Sequence, residues 1–388
     1  MLEHFLVMMI AILLGTKLAG HLCNRIGVPS VIGELLVGII LGPALLNIVQ
    51  PTEIVQLFAQ IGVILLMFLA GLESDLFQLK KYLKPSVLVA ILGILFPMVL
   101  GSLVGHLFAL PVVSSIFLGI VFSATSVSIS VQVLREYNRL DSDEGSVILG
   151  AAVVDDIVVV LIVSVFSSII NMGSQLQFDF AFFWNLLGLK FLFFLVIYLF
   201  AKFLLQPVMR LASRVVAIES QAAMALVLCF AFAILSEKMG MSDVIGAFFI
   251  GLMMSTHPSQ PKVQEKLDTI GYAFFIPIFF VSIGLNVEFS AFKEHFGMIV
   301  LLTLTGILSK LVGGYLGSRM SHLSKSASTI VGSGMVSRGE MALIIVQIGQ
   351  AHHLVTGSVY SAIVVAIILT TLASPLLIKY SIEKLGKN

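Results

Sequence analysis

The sequence predicts an all-α polytopic membrane protein of about thirteen transmembrane helices, and three observations carry that expectation. The 388 residues are 59% hydrophobic and only 11% charged, with a mean hydropathy of +1.09; a soluble domain carries roughly a quarter charged residues. Apolar runs of about twenty residues, the length that spans a bilayer, recur from end to end. Basic residues also alternate between the connections, which gives each run a direction.

The expected spans lie near 5–22, 28–47, 53–72, 85–108, 112–134, 146–170, 182–206, 218–237, 243–257, 268–287, 296–317, 327–351 and 357–379. The turns between them hold Pro, Gly, Asn and charges. Sixteen of the 22 basic residues fall on one set of connections, among them Arg25, Lys80, Lys81, Arg135, Arg139, Arg210, Lys262 and Lys384. Only Lys238 and Lys293 fall on the other set. Positive charge stays in the cytoplasm, so the N-terminus is expected outside and the C-terminus inside.

Several function classes are excluded by composition. The net charge of +1 comes without a basic stripe, so no nucleic-acid partner is expected. Cys23 and Cys229 stand in separate apolar runs, a poor basis for a disulfide or metal framework. The first run lacks a basic leader and is read as a span, not a signal peptide. No phosphate-cradling glycine loop is present and no nucleotide-binding domain is expected after the last span, so ATP-driven transport is not supported.

Charges at membrane depth are costly and mark ion or proton pathways. Asp155 and Asp156 sit near the middle of the sixth span, in GAAVVDDIVVV. Neighbours on a helix point about 100° apart. Two carboxylates this close do not both ionise cheaply, which brings proton release within reach of physiological pH. Carboxylate oxygens also suit a hard cation such as Na+. The bland alternative is a buried acid pair satisfied by structural hydrogen bonds. In the fifth span, Ser123, Thr125, Ser126 and Ser128 belong to SATSVSIS, a poor helical pattern that predicts a local break. Thr125 and Ser126 are expected to line a cation site; plain packing of small residues is the alternative.

A second break is expected in the twelfth span, in SGMVSRGE, where Ser337, Arg338 and Glu340 lie at depth. Arg338 and Glu340 could neutralise one another as a structural ion pair, or cap half-helices. Lys310, mid-way along the eleventh span, needs a counter-charge, and Asp155 and Asp156 are nearest in depth. Spans four to six and eleven to thirteen thus form two triplets running in opposite directions, an inverted-repeat transporter design with the site at the midplane. Weaker signals are Glu34, in or near the membrane, Glu73 and Asp75 at the end of the third span, and Pro277, which should kink the tenth span.

These motifs resemble the monovalent cation:proton antiporter-2 family, and within it the NapA-type Na+/H+ antiporters, over essentially the whole chain. The carrying stretches are GELLVGIILGP at 33–43, FLAGLE at 68–73, SATSVS at 123–128, VDD at 154–156, FIPIF at 275–279, Lys310 and SRGE at 337–340. The resemblance implies an inverted-repeat antiporter fold with two crossed broken helices, in a homodimer within a bacterial plasma membrane. It implies that Asp156 binds the cation, that Asp155 pairs with Lys310, and that transport is electrogenic. It places a dimerisation domain at 1–80 and 211–292, core repeats at 81–172 and 293–388, and a linker span at 173–210. Kef-type potassium efflux relatives usually replace the first aspartate and add a cytoplasmic regulatory domain. Electroneutral exchangers usually lack the first aspartate. This chain departs from both patterns.

The expected activity is exchange of cytoplasmic Na+, or of Li+ or K+, for protons, with no cofactor and no catalysis. A K+/H+ antiporter or Kef-like efflux protein is the alternative. An intramembrane aspartyl protease would need two aspartates from different helices, and a K+ channel would need a filter such as TVGYG; neither pattern is present.

Overall fold

The computed structural model describes residues 2–26, 29–74, 76–172, 180–286, 290–351, 353–355 and 357–385, and its regular elements are all helical. In chain order they are α1 (Leu2–Arg25), α2 (Ser30–Leu41), α3 (Glu53–Glu73), α4 (Leu76–Lys81), α5 (Leu83–Leu107), α6 (Val112–Ser123), α7 (Val127–Glu136), α8 (Asp143–Met172), α9 (Phe180–Phe203), α10 (Leu205–Arg214), α11 (Ser220–Lys238), α12 (Asp243–Met254), α13 (Gln260–Ile270), a π-helical turn (Gly271–Phe275), α14 (Ile276–Gly284), α15 (Ser290–Met320), α16 (Lys325–Gly334), α17 (Glu340–Ala351) and α18 (Gly357–Leu385).

Among the described residues, nine helices are long and apolar enough to cross a membrane, and α9 with α10 is so when taken as one bent pair. The second and ninth expected spans correspond to shorter apolar helices, Ser30–Leu41 and Asp243–Met254, and the second half of the twelfth to Met341–Gln350. Twelve residues of helix reach about 18 Å, less than the roughly 30 Å hydrocarbon layer. The second span, expected at 28–47, ends at Leu41 for a local reason. Gly42 is extended (φ −75°, ψ −178°) ahead of Pro43, the conformation that a following proline imposes.

The chain divides into two compact units: residues 1–59, 78–155 and 277–388 form the first, and residues 60–77 and 156–276 the second. In the first unit, α5 packs against α6 and α15, and α15 against α16 and α18. Glycines set these approaches. A Cβ on Gly101 would stand 3.0 Å from the Gly119 Cα, and one on Gly314 would stand 2.9 Å from the Gly332 Cα. The α5–α6 and α15–α16 seams are therefore built alike in the two triplets. Between them α5 meets α15, where a Cβ on Gly313 would fall 2.7 Å from the Leu92 carbonyl. Such backbone proximity is the usual basis of helix association in lipid.

The second unit packs α11 against α12 and α13, with α9 and α10 alongside. In its α3–α12 seam, a Cβ on Gly71 would fall 2.1 Å from the Phe248 carbonyl. Gln264 Nε2 donates to Glu73 Oε1 at 2.5 Å, and Gln260 Nε2 donates to the Leu72 carbonyl at 3.2 Å, so α13 closes the end of α3. Asp75 lies outside the described residues. The chain before Pro277 stays helical and widens into the π turn. Prolines and π turns are both recognised sites of helix distortion. Two short helices form where connections were expected: α4, between the third and fourth spans, and α10, after position 206, which bends 50° from α9. Leu205, Met209 and Ala212 are the buried stripe of α10, a helical period too short and too charged to stand out beside the spans.

Candidate functional site

Both expected breaks are present. The fifth span is interrupted between α6 and α7 at residues 124–126, and the twelfth between α16 and α17 at 335–339. At a helix break, carbonyls of one half and N–H groups of the other lose their partners. In a chain that crosses lipid, these must be satisfied internally. Here each break supplies the other. The Ser126 N–H donates to the Ser337 carbonyl at 2.9 Å, the Ser337 hydroxyl donates to the Ser126 carbonyl, and the Ser130 hydroxyl donates to the Gly334 carbonyl. Gly339 permits the crossing, since a Cβ there would stand 2.5 Å from Ser126 Oγ.

Arg338 is fully buried beside these breaks. Its Nε donates to the Phe122 carbonyl at 3.0 Å and its Nη1 to the Val336 carbonyl at 2.9 Å, and the guanidinium stacks 5.2 Å from the Phe122 ring centroid. A cation is thus set at the C-terminal end of α6, where the helix dipole is negative. Of the two readings of Arg338, the bonds made are those of a half-helix cap; the Glu340 side chain lies outside the described residues. The Thr371 hydroxyl of α18 donates to the Arg338 carbonyl. Thr371 was not singled out in the sequence, where a threonine in an apolar run has no distinguishing mark.

Asp155 of α8 is buried, at 1% exposure, and meets groups from both triplets. The Thr125 hydroxyl, at the first break, donates to its carboxylate. Lys310 of α15 brings Nζ to 3.2 Å from Oδ2 and 3.4 Å from Oδ1. Lys310 is itself 0% exposed. Gly93 of α5 lies alongside it: a Cβ there would stand in ordinary contact, 3.6 Å from the ammonium nitrogen. Two charges buried together in low dielectric hold only when each satisfies the other.

Asp156 follows on α8, about 100° further round the helix, and is half-buried; the chain passes from the first unit to the second between the two aspartates. The other expected hydroxyls divide. Ser123 Oγ turns back onto its own helix, donating to the Ile120 carbonyl at 2.6 Å, and Ser128 is buried within α7. Glu34 lies in α2, away from these contacts in sequence and element.

Comparison with known proteins gives a consistent picture. Residues 8–379 match the family model described as "Sodium/hydrogen exchanger, transmembrane". The chain is 48% identical over 385 residues to a Na(+)/H(+) antiporter of Enterococcus hirae, covering 99% of this chain and 100% of that protein. It is 40% identical over 373 residues to the Na(+)/H(+)-K(+) antiporter GerN of Bacillus cereus, covering 95% of this chain and 94% of that protein. The solved structure of the sodium proton antiporter MjNhaP1 from Methanocaldococcus jannaschii superimposes with a TM-score of 0.74 at 17% identity, covering 100% of this chain and 98% of that one.

Proposed function

Since the chain belongs to the sodium/hydrogen exchanger family, we propose that it is a secondary Na+/H+ antiporter that works by alternating access, with Asp156 as the carboxylate that cation and proton share. The observation that carries the proposal is the buried Asp155–Lys310 pair beside two crossed helix breaks. Charged groups at that depth mark ion pathways, and broken helices place backbone dipoles where an ion can use them.

The roles follow from chemistry. Asp156 offers hard oxygen to Na+ and accepts a proton in its absence, so binding of one expels the other. Thr125 and Ser126 add oxygen ligands from the first break. Asp155 holds Lys310, whose ammonium carries a second proton; its release when Na+ binds makes the cycle electrogenic. The N-terminus lies outside the cell and the C-terminus within, as the distribution of basic residues suggests. The working form is a homodimer, in which residues 81–172 and 293–388 move against residues 1–80 and 211–292.

Purified protein in proteoliposomes with an entrapped pH reporter tests the proposal. Added Na+ should dissipate an imposed pH gradient, with Li+ and K+ measured beside it. Absence of proton movement with all three cations would defeat the antiporter reading. Movement driven best by K+ would retain the exchange and change the cation, an arm made necessary by the K(+) in the name of the Bacillus cereus relative.

A further inference from the structure

A second polar site lies at the bend between α9 and α10, apart from the aspartates. Helix α10 leaves the direction of α9 by 50°. It turns Leu205, Met209 and Ala212 inward and leaves Leu211 62% exposed. The residues after it, Val216 and Ile218, are exposed almost completely, at 105% and 95%. An amphipathic helix with a bare apolar tip and basic neighbours is the pattern of a segment lying in a membrane interface.

Beside this tip is a cleft of about 310 Å³ whose lining includes Arg210, Lys262, Gln206, Ser213, Gln221 and His257. Two full cations and several neutral donors face one space, and no acidic residue is among those lining it. Neither Arg210 nor Lys262 has an ion-pair partner among the described residues. The nearby acid Glu219 is engaged, with Oε1 3.0 Å from Lys266 Nζ in the adjoining cleft that Glu265 also lines. His257 has a fixed role: the Ser259 N–H donates to its Nδ1 at 3.2 Å, and Ser259 Oγ lies 2.8 Å from the same atom. Nδ1 is therefore the acceptor, and the neutral ring keeps its proton on Nε2 as a further donor. Burial lowers the proton affinity of His257, which favours that neutral form.

We propose that this cleft binds the phosphate of an anionic phospholipid, with Arg210 and Lys262 on the phosphate and the Val216–Ile218 tip among the acyl chains. A lipid headgroup is the occupant, and not a free phosphate, because the exposed Val216 and Ile218 lie in the chain between Ser213 and Gln221, which both line the cleft, and a lipid presents an anion and an apolar chain together. The site does not depend on the transport roles given to the aspartates, so the two readings fail separately.

The test is thermal melting of the detergent-solubilised protein titrated with phosphatidylglycerol, phosphatidylcholine or inorganic phosphate. Phosphatidylglycerol should raise the melting temperature in a saturable way. Each basic residue near an anionic surface contributes about a factor of five in affinity, so Arg210→Gln with Lys262→Gln should weaken the apparent lipid affinity about thirtyfold. Both side chains are exposed, so the double variant should fold. Lys80→Gln with Lys81→Gln, an equal charge change elsewhere, should leave the affinity unchanged. Val216→Ser with Ile218→Ser should weaken lipid binding without touching a charge. Full phosphatidylglycerol affinity in Arg210→Gln with Lys262→Gln would overturn the site. Equal loss in Lys80→Gln with Lys81→Gln would reduce it to general surface charge. An equal shift from phosphate alone, or from phosphatidylcholine, would overturn the anionic-lipid assignment.

Discussion

Ser126 and Ser337 bind one another reciprocally across the two helix breaks: the Ser126 N–H donates to the Ser337 carbonyl at 2.9 Å, and the Ser337 hydroxyl donates back to the Ser126 carbonyl. The two interrupted spans therefore complete each other's backbone bonding. Neither break can shift without the other, which makes the crossing a rigid support for the Asp155 side chain held by Thr125 one residue earlier. An ion site that must discriminate by ligand geometry needs such support.

The crossing makes a first prediction through Gly339. A methyl group there would meet Ser126 Oγ at 2.5 Å and Ser126 Cβ at 2.7 Å. Gly339→Ala should lower thermal stability, overpacking of this kind costing about 1–3 kcal/mol. Adding Ser126→Gly removes both clashing atoms and should restore much of the melting temperature. Equal melting of Gly339→Ala and wild type would show that the breaks do not approach so closely.

How much of this was legible follows from what each group advertises. The breaks could be read because clustered hydroxyls and glycines in an apolar run are poor helix and good loop. Lys310 and Asp155 could be read as charges at depth, and depth left Asp155 and Asp156 as candidate partners of Lys310; the choice of Asp155, across 155 positions, came with the family resemblance. What Arg338 holds could not be read, because its partner is the Phe122 carbonyl, and a carbonyl looks the same at every residue. Helix α10 was missed because its three buried side chains make a weak period beside spans of twenty apolar residues.

Asp156 gives the second prediction. Asp156→Asn keeps the side-chain size and removes the titratable charge. Na+-driven proton flux in proteoliposomes should fall to background while the protein still purifies as a folded species. Flux near the wild-type rate would move the shared site off Asp156. In parallel, Thr125→Val should raise the apparent KM for Na+ several-fold, since the methyl group cannot hold Asp155 in place; an unchanged KM would detach the first break from cation binding.

A third prediction concerns the far end of α7. Glu136 accepts the Ser30 N–H at 3.1 Å and the Ser30 hydroxyl as well, and Gln132 Nε2 donates to it at 3.1 Å. A carboxylate from a residue 106 positions away thus caps the start of α2. An N-terminal cap of this kind is worth about 1 kcal/mol. Glu136→Gln should lower the melting temperature modestly and speed amide hydrogen exchange in the first turn of α2. Unchanged exchange there would mean the contact does not hold the helix end.

Lys310 gives the last prediction. It lies 3.2 Å from Asp155 Oδ2 with both side chains out of solvent, and a buried pair that loses one partner costs about 3–5 kcal/mol. A cation arriving beside these carboxylates competes for Asp155 and makes the neighbouring ammonium less favourable. Lys310 then gives up a proton in addition to the one displaced from Asp156, and net charge crosses in each cycle. Lys310→Gln removes that carrier and leaves Asp156 in place. It should retain Na+/H+ exchange at reduced rate, lose most of the Na+-induced charge displacement on a solid-supported membrane, and melt at lower temperature than wild type. Proton flux must be recorded in the same vesicles, because loss of both signals would report only an inactive protein. To keep that outcome informative, Asp155→Asn with Lys310→Gln removes both charges together; it should melt closer to wild type than Lys310→Gln and show the same uncoupling of flux from current. Currents of wild-type size in either variant would show that Lys310 is not the second proton carrier. Electroneutral exchange by the wild type would remove the two-proton scheme and leave the antiporter resting on Asp156 alone.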